Sequence, residues 1–164
     1  MKILILIRHA KSSWNDAGQK DFDRPLNDRG HKDALAMAER MTNSNLNPDG
    51  LISSTAKRAL STCEYFRKAF GLDKKNMMER PELYLAEMST FYQVIQSLPN
   101  DLNTVFLFSH NNGITEFANT LTDTTIDNMP TCGVFAVSAD IEDWKDFEEG
   151  DKDFLFFVSP KEFR

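Results

Sequence analysis

Apolar positions follow two rhythms along this chain: short unbroken runs, and stripes repeating at helical spacing. Ile3 to Ile7 is an uninterrupted aliphatic run, the pattern of a central strand covered on both faces. A polar loop follows from about Lys11 to Asp28. "NDRGHKDALAMAERM" then places Ala34, Met37, Ala38 and Met41 on one helical face. "NLNPDG" turns the chain into a short strand over 51–53. The next helix has Thr55 as its expected N-cap, Ala59, Cys63, Phe66 and Phe70 on one side, and Gly71 as its stop. A third helix is expected over 89–98, ended by Pro99-Asn100. "TVFLFSH" reads as another buried strand, and "NGITEFANTLT" as the helix after it. In the tail, "CGVFAVSAD" and "DFLFFVSP" read as two strands around a polar connection carrying Trp144 and Phe147, which are expected to pack beneath their own loop.

Alternation of strand and helix through the first three quarters implies right-handed crossovers and an α/β fold. The expected architecture is three layers, α/β/α, around a mostly parallel central sheet, with antiparallel edge strands from the C-terminal part. No repeat, low-complexity tract or linker divides the sequence, so residues 1–164 are expected to form one domain.

Composition narrows the function. The formal net charge is −6, which argues against a general nucleic-acid binder. Two cysteines, Cys63 and Cys132, provide no disulfide framework, and Cys63 lies on an apolar stripe where a buried free thiol is expected. The first apolar run is too short for a signal peptide or a membrane span, so no membrane association and a soluble cytoplasmic protein are expected. Three histidines without a carboxylate at a fixed short spacing make a metal site a poor reading.

One pattern occurs three times: apolar strand, polar residues, helix start. It is found in "ILILIRHA", "LISSTAKRA" and "TVFLFSHNNG". In open α/β sheets the ligand crevice lies beyond the carboxyl ends of the strands. If these strands are neighbours, Arg8, His9, Arg58 and His110 share one crevice. Two guanidiniums and two imidazoles suit a dianion with several oxygens, such as phosphate. Arg58 falls in the first helical turn, where a cation costs roughly 0.3–1 kcal/mol that a bound anion would offset. Taken singly, each of the four has an ordinary structural role open to it, and the functional case rests on their joint placement.

These segments resemble the motifs of the histidine phosphatase superfamily, which includes phosphoglycerate mutases and many phosphatases. "RHAKSSWN" is similar to its Arg-His signature, "SSTAKRALST" to its second motif, "FSHNNGI" to its third, and "DFDRPLNDRGHKDA" to the stretch before its first helix. The short chain, Ala10 where the family has glycine, and the ending "FLFFVSPK" resemble the branch of SixA-type phosphohistidine phosphatases. The resemblance implies a phosphoglycerate mutase-like fold. It further implies that His9 is the nucleophile and is transiently phosphorylated, while Arg8, Arg58 and His110 bind the phosphoryl oxygens. Asn15 and Ser12, at motif positions, become further candidates for phosphate binding. The family's general acid has no clear counterpart; Glu82 and Glu87 in "ERPELYLAEMS" are the candidates.

The resulting expectation is a phosphatase that needs neither cofactor nor metal. Its expected partner is a phosphorylated protein, for example a histidine phosphotransfer domain. Two alternatives stay open: a phosphomonoesterase for a small phosphorylated metabolite, and a non-catalytic module that binds phosphate or a phosphoprotein. An imidazole leaves more readily than an alkoxide, so the absence of an assured acid favours a phosphoramidate substrate.

Overall fold

The computed structural model describes residues 1–164. Six strands form one sheet: β1 (Lys2–Arg8), β2 (Gly50–Ser53), β3 (Met77–Glu79), β4 (Thr104–Ser109), β5 (Val134–Ala139) and β6 (Lys152–Val158). Their order is β3-β2-β4-β1-β5-β6. The first four are parallel; β5 pairs antiparallel with β1, and β6 antiparallel with β5. Four helices complete the layers: α1 (Asp28–Met41), α2 (Lys57–Ala69), α3 (Met88–Gln96) and α4 (Gly113–Leu121). The expected three-layer α/β fold is therefore present. The sequence reading did not include the edge strand β3. Of the two tail strands only β6 lies at the edge, because β5 pairs with β1 and so sits inside the sheet.

Strand alternation divides the core. Leu4 and Leu6 of β1 and Val105 and Leu107 of β4 pack with Phe91, Val94, Ile114 and Phe117 of α3 and α4. Ile5 and Ile7, with Phe106 and Phe108, pack on the other face with Ala34, Met37, Cys63 and Phe66 of α1 and α2. Both faces of the central strands are thus covered, which explains their unbroken apolar sequences. Trp144 and Phe147 are fully buried, and Trp144 Nε1 donates to the Leu102 carbonyl at 2.7 Å. Both cysteines are buried free thiols. Helix α2 is capped differently from expectation. Thr55 does not cap it; Ala56 holds the N-cap position, and the Ser54 hydroxyl accepts from the Ala56 N–H at 3.2 Å. No helix is long and apolar enough to cross a membrane.

Candidate active site

β2, β4 and β1 are adjacent and end level. Arg8 lies opposite Ser109, and Ser53 opposite Phe108. The polar residues after the three strands therefore meet at one sheet edge, as the crevice rule anticipates. Alternation explains why two neighbours in sequence do different work. Arg8, in phase with Leu4 and Leu6, leaves on the α3/α4 side, and its Nη1 donates to the Met129 carbonyl at 2.8 Å. His9 turns to the α2 side and meets Arg58. The backbone between them is pinned: His9 N–H donates to Ser109 O at 3.1 Å, Cys132 N–H donates to both Arg8 O and His9 O, and Ala10 N–H donates to Thr62 Oγ1 at 2.9 Å. Ala10, where the motif has glycine, has no positive φ and is fully buried without backbone strain.

The chemistry of the partners fixes the His9 tautomer. Nδ1 lies 2.7 Å from the Ala10 carbonyl, which can only accept, so Nδ1 carries the proton. Nε2 faces Arg58 Nε at 3.3 Å, a group that can only donate, so Nε2 holds a lone pair. Desolvation lowers the His9 pKa to about 3, with Arg58, Arg8 and Arg24 adding to the effect and the Ala10 bond opposing it. The ring is therefore neutral across ordinary pH. His110 sits 5.1 Å from His9 between ring centroids, with its Nε2 2.7 Å from Ser54 Oγ. Desolvation first, then His9 and Arg58, lower its pKa to about 3. Burial and the nearby Arg58 lower the pKa of Arg8 as well. His110 Nδ1 and Arg8 Nε are buried with no hydrogen-bond partner. Such orphaned groups cost about 1–3 kcal/mol each until a partner arrives.

The cleft around these groups measures about 480 Å³, and its wall includes Arg8, His9, Ser12, Asp21, Arg24, Arg58 and His110. The expected quartet is thus brought together. Ser12 also lines the cleft, but its hydroxyl is engaged by Arg24 Nη2. Asn15 is not brought in: it is exposed, outside the cleft wall, and its N–H is bonded to Ser13 Oγ. Neither Glu82 nor Glu87 lines the cleft. Glu82 pairs with Arg80 at 3.4 Å, and Glu87 is the N-cap residue of α3.

The sequence reading missed Asp21, Arg24 and Tyr84. Asp21 is the one carboxylate in the cleft wall. Its carbonyl accepts from Arg58 Nη1 at 2.7 Å and its Oδ2 from Arg58 Nη2 at 3.0 Å, while Oδ1 accepts from Arg24 and Oδ2 also from the Tyr84 hydroxyl. Desolvation pushes the Asp21 pKa up, but the bonds from Tyr84, Arg24 and Arg58 outweigh it and hold the carboxyl well below its usual range. Asp21 is ionised and aims Arg58. Arg24 is buried, stacks 3.2 Å from the ring of Trp14, and donates to Ser13 O at 3.0 Å. "DFDRPL" offered an Arg directly after two carboxylates as its only signal, and loop residues carry no periodicity that would reveal such pairing.

The model of the histidine phosphatase superfamily (branch 1) matches residues 4–102, which include most of β1, the Asp21 loop and Arg58. The chain belongs to the histidine phosphatase superfamily. An uncharacterized chloroplastic protein of Arabidopsis thaliana is 31% identical over 87% of this chain and 69% of its own length. Among solved structures, a candidate phosphohistidine phosphatase SixA from Agrobacterium tumefaciens superposes with a TM-score of 0.82 at 26% identity, covering 97% of this chain and 98% of that one. A protein histidine phosphatase SixA complexed with tungstate has the same fold, with a TM-score of 0.83 at 21% identity and 99% of both chains covered. This histidine phosphatase therefore has a phosphoglycerate mutase-like fold of the SixA type. Its matches to bisphosphoglycerate-dependent mutases and phosphoserine phosphatases are partial, spanning between 25% and 41% of those proteins.

Proposed function

We propose that this superfamily member is a phosphatase that removes phosphate from phosphohistidine on a partner protein, with His9 as the nucleophile. The observation that carries the reading is the setting of His9: the Ala10 carbonyl holds Nδ1, Nε2 faces Arg58 Nε at 3.3 Å, and Arg8 and His110 line the same cleft. Nε2 attacks phosphorus in line with the leaving nitrogen, forming an N–P bond as the substrate's N–P bond breaks. Arg8, Arg58 and His110 stabilise the equatorial oxygens. Water then attacks the phosphoryl group, returning the electron pair to Nε2 and releasing inorganic phosphate. These side chains supply the stabilisation themselves, so the reaction is proposed to need no metal or cofactor.

The substrate assignment rests on the proton inventory. The carboxylate in the cleft is locked in its ionised form, so it does not protonate a leaving alkoxide. A phosphorylated imidazole brings its own good leaving group. The cleft mouth is also open, with Trp14 76% and Leu85 56% exposed at its wall. Such a mouth admits a side chain projecting from a protein. The test compares phosphohistidine, phosphoserine and sugar phosphates with wild type and His9→Ala. The expected result is preference for phosphohistidine, an acid-labile phosphoryl group trapped on wild type, and neither with the variant. Preference for an alkyl ester would instead favour a metabolite phosphomonoesterase, and binding without any adduct would favour a non-catalytic module.

A further inference from the structure

A second cleft, of about 490 Å³, adjoins the first and shares Lys11 and Thr131 with it. Four of its eight wall residues are cationic: Lys11, Arg29, Lys161 and Arg164. None is anionic and none is hydrophobic. In a chain with 25 acidic and 19 basic residues, an acid-free basic wall departs from the average surface. The fold holds these charges in place from three directions. Gly30, beside Arg29, packs so closely on the Lys11 backbone that a Cβ there would lie 2.0 Å from the Lys11 carbonyl. Asn27 caps α1 and its N–H donates to that same carbonyl at 3.0 Å. Arg164 is anchored at 2.7 Å by Asp33, which is 5% exposed. The wall also contains Ser159, 1% exposed, whose hydroxyl has no partner.

We infer that this cleft docks acidic side chains of the partner protein beside its phosphorylated histidine. The inference rests on the reading under Proposed function and adds the character of the partner's surface. Several features favour a protein flank over a second phosphate of a small substrate. Lys11, Arg29 and Lys161 are exposed rather than buried, which suits steering and orientation of a macromolecule. Apart from Pro130 and Pro160 the wall has no apolar side chain to hold a sugar or acyl chain, and the two clefts together are far larger than one small phosphate ester. Arg164, already paired with Asp33, sets one boundary; Lys11, Arg29 and Lys161 have no ion-pair partner and present the free charge.

Two phosphohistidine peptides serve as probes, one with a run of Asp and Glu on one flank and one with Gln at those positions. They are assayed with the full chain and with the double variant Arg29→Glu, Lys161→Glu, which leaves the phosphate cleft untouched. Wild type is expected to prefer the acidic peptide by tenfold or more in kcat/KM at low salt, with the preference shrinking as salt rises. The double variant is expected to lose that preference while hydrolysing para-nitrophenyl phosphate at the wild-type rate. Equal use of both peptides by wild type, or a preference unchanged in the double variant, overturns the inference. So does a double variant impaired only toward a small bisphosphate. Hydrolysis of para-nitrophenyl phosphate with neither peptide accepted would overturn the phosphohistidine reading itself, a separate result.

Discussion

At the residue level, the site depends on how few groups can move a proton. His9 Nδ1–H is committed to a carbonyl, Arg58 to Asp21, and Asp21 to three donors. Arg58→Ala is expected to lower kcat by about 10²–10³ in a chromogenic ester assay, the loss typical of one preorganised oxyanion donor. Asp21→Asn keeps the shape but releases Arg58, and kcat/KM is expected to fall about 10- to 100-fold through misplacement. If Asp21 instead delivered a proton, the variant would lose the alkaline limb of the pH profile. An unchanged limb with a lower plateau is the expected outcome. The two imidazoles also link stability to pH. Their folded pKa values, about 3, lie below the ordinary 6.5, so in this window the unfolded chain binds protons that the folded one refuses. Stability therefore rises with pH between about 3 and 6.5, by at most about 1.4 kcal/mol per unit for each ring. Asp21, with its depressed pKa, adds a further loss below its usual value near 3.8. Urea midpoints measured from pH 7 to 4 are expected to fall, and His9→Gln is expected to flatten the slope.

Among the elements, legibility tracked periodicity. The helices and the long strands were readable because burial imposes spacing on Ala34, Met37 and Phe66, or removes polar residues from β1 and β4. The crevice could be inferred because three strand ends carried the same polar signature. Strand β3 was not readable, since two half-buried residues and one exposed residue at an edge leave no pattern. The Asp21 loop was not readable either, because its meaning lies in where it crosses Arg58 rather than in its own order. Asn15 shows the reverse error: a motif position whose side chain the loop turns outward. Packing between elements gives its own test. Gly30→Ala forces a methyl against the Lys11 carbonyl and is expected to cost about 1–3 kcal/mol by denaturant unfolding. Because Lys11 belongs to the loop after His9, activity is expected to fall with it.

For the molecule as a whole, the position of β1 has a kinetic corollary. The strand that leads into the reactive imidazole is made before the other five, yet its two neighbours are residues 104–109 and 134–139. During synthesis it waits, an aliphatic ribbon with both edges bare, until most of the sequence has left the ribosome. Pairings so distant in sequence make for slow closure and a long exposure to mispairing. A fragment covering 1–133 is accordingly expected to show no cooperative unfolding transition by circular dichroism, despite containing every residue of the phosphate cleft. Competence for turnover would then arrive late in translation and all at once, when the antiparallel ribbon closes over the strand's open side.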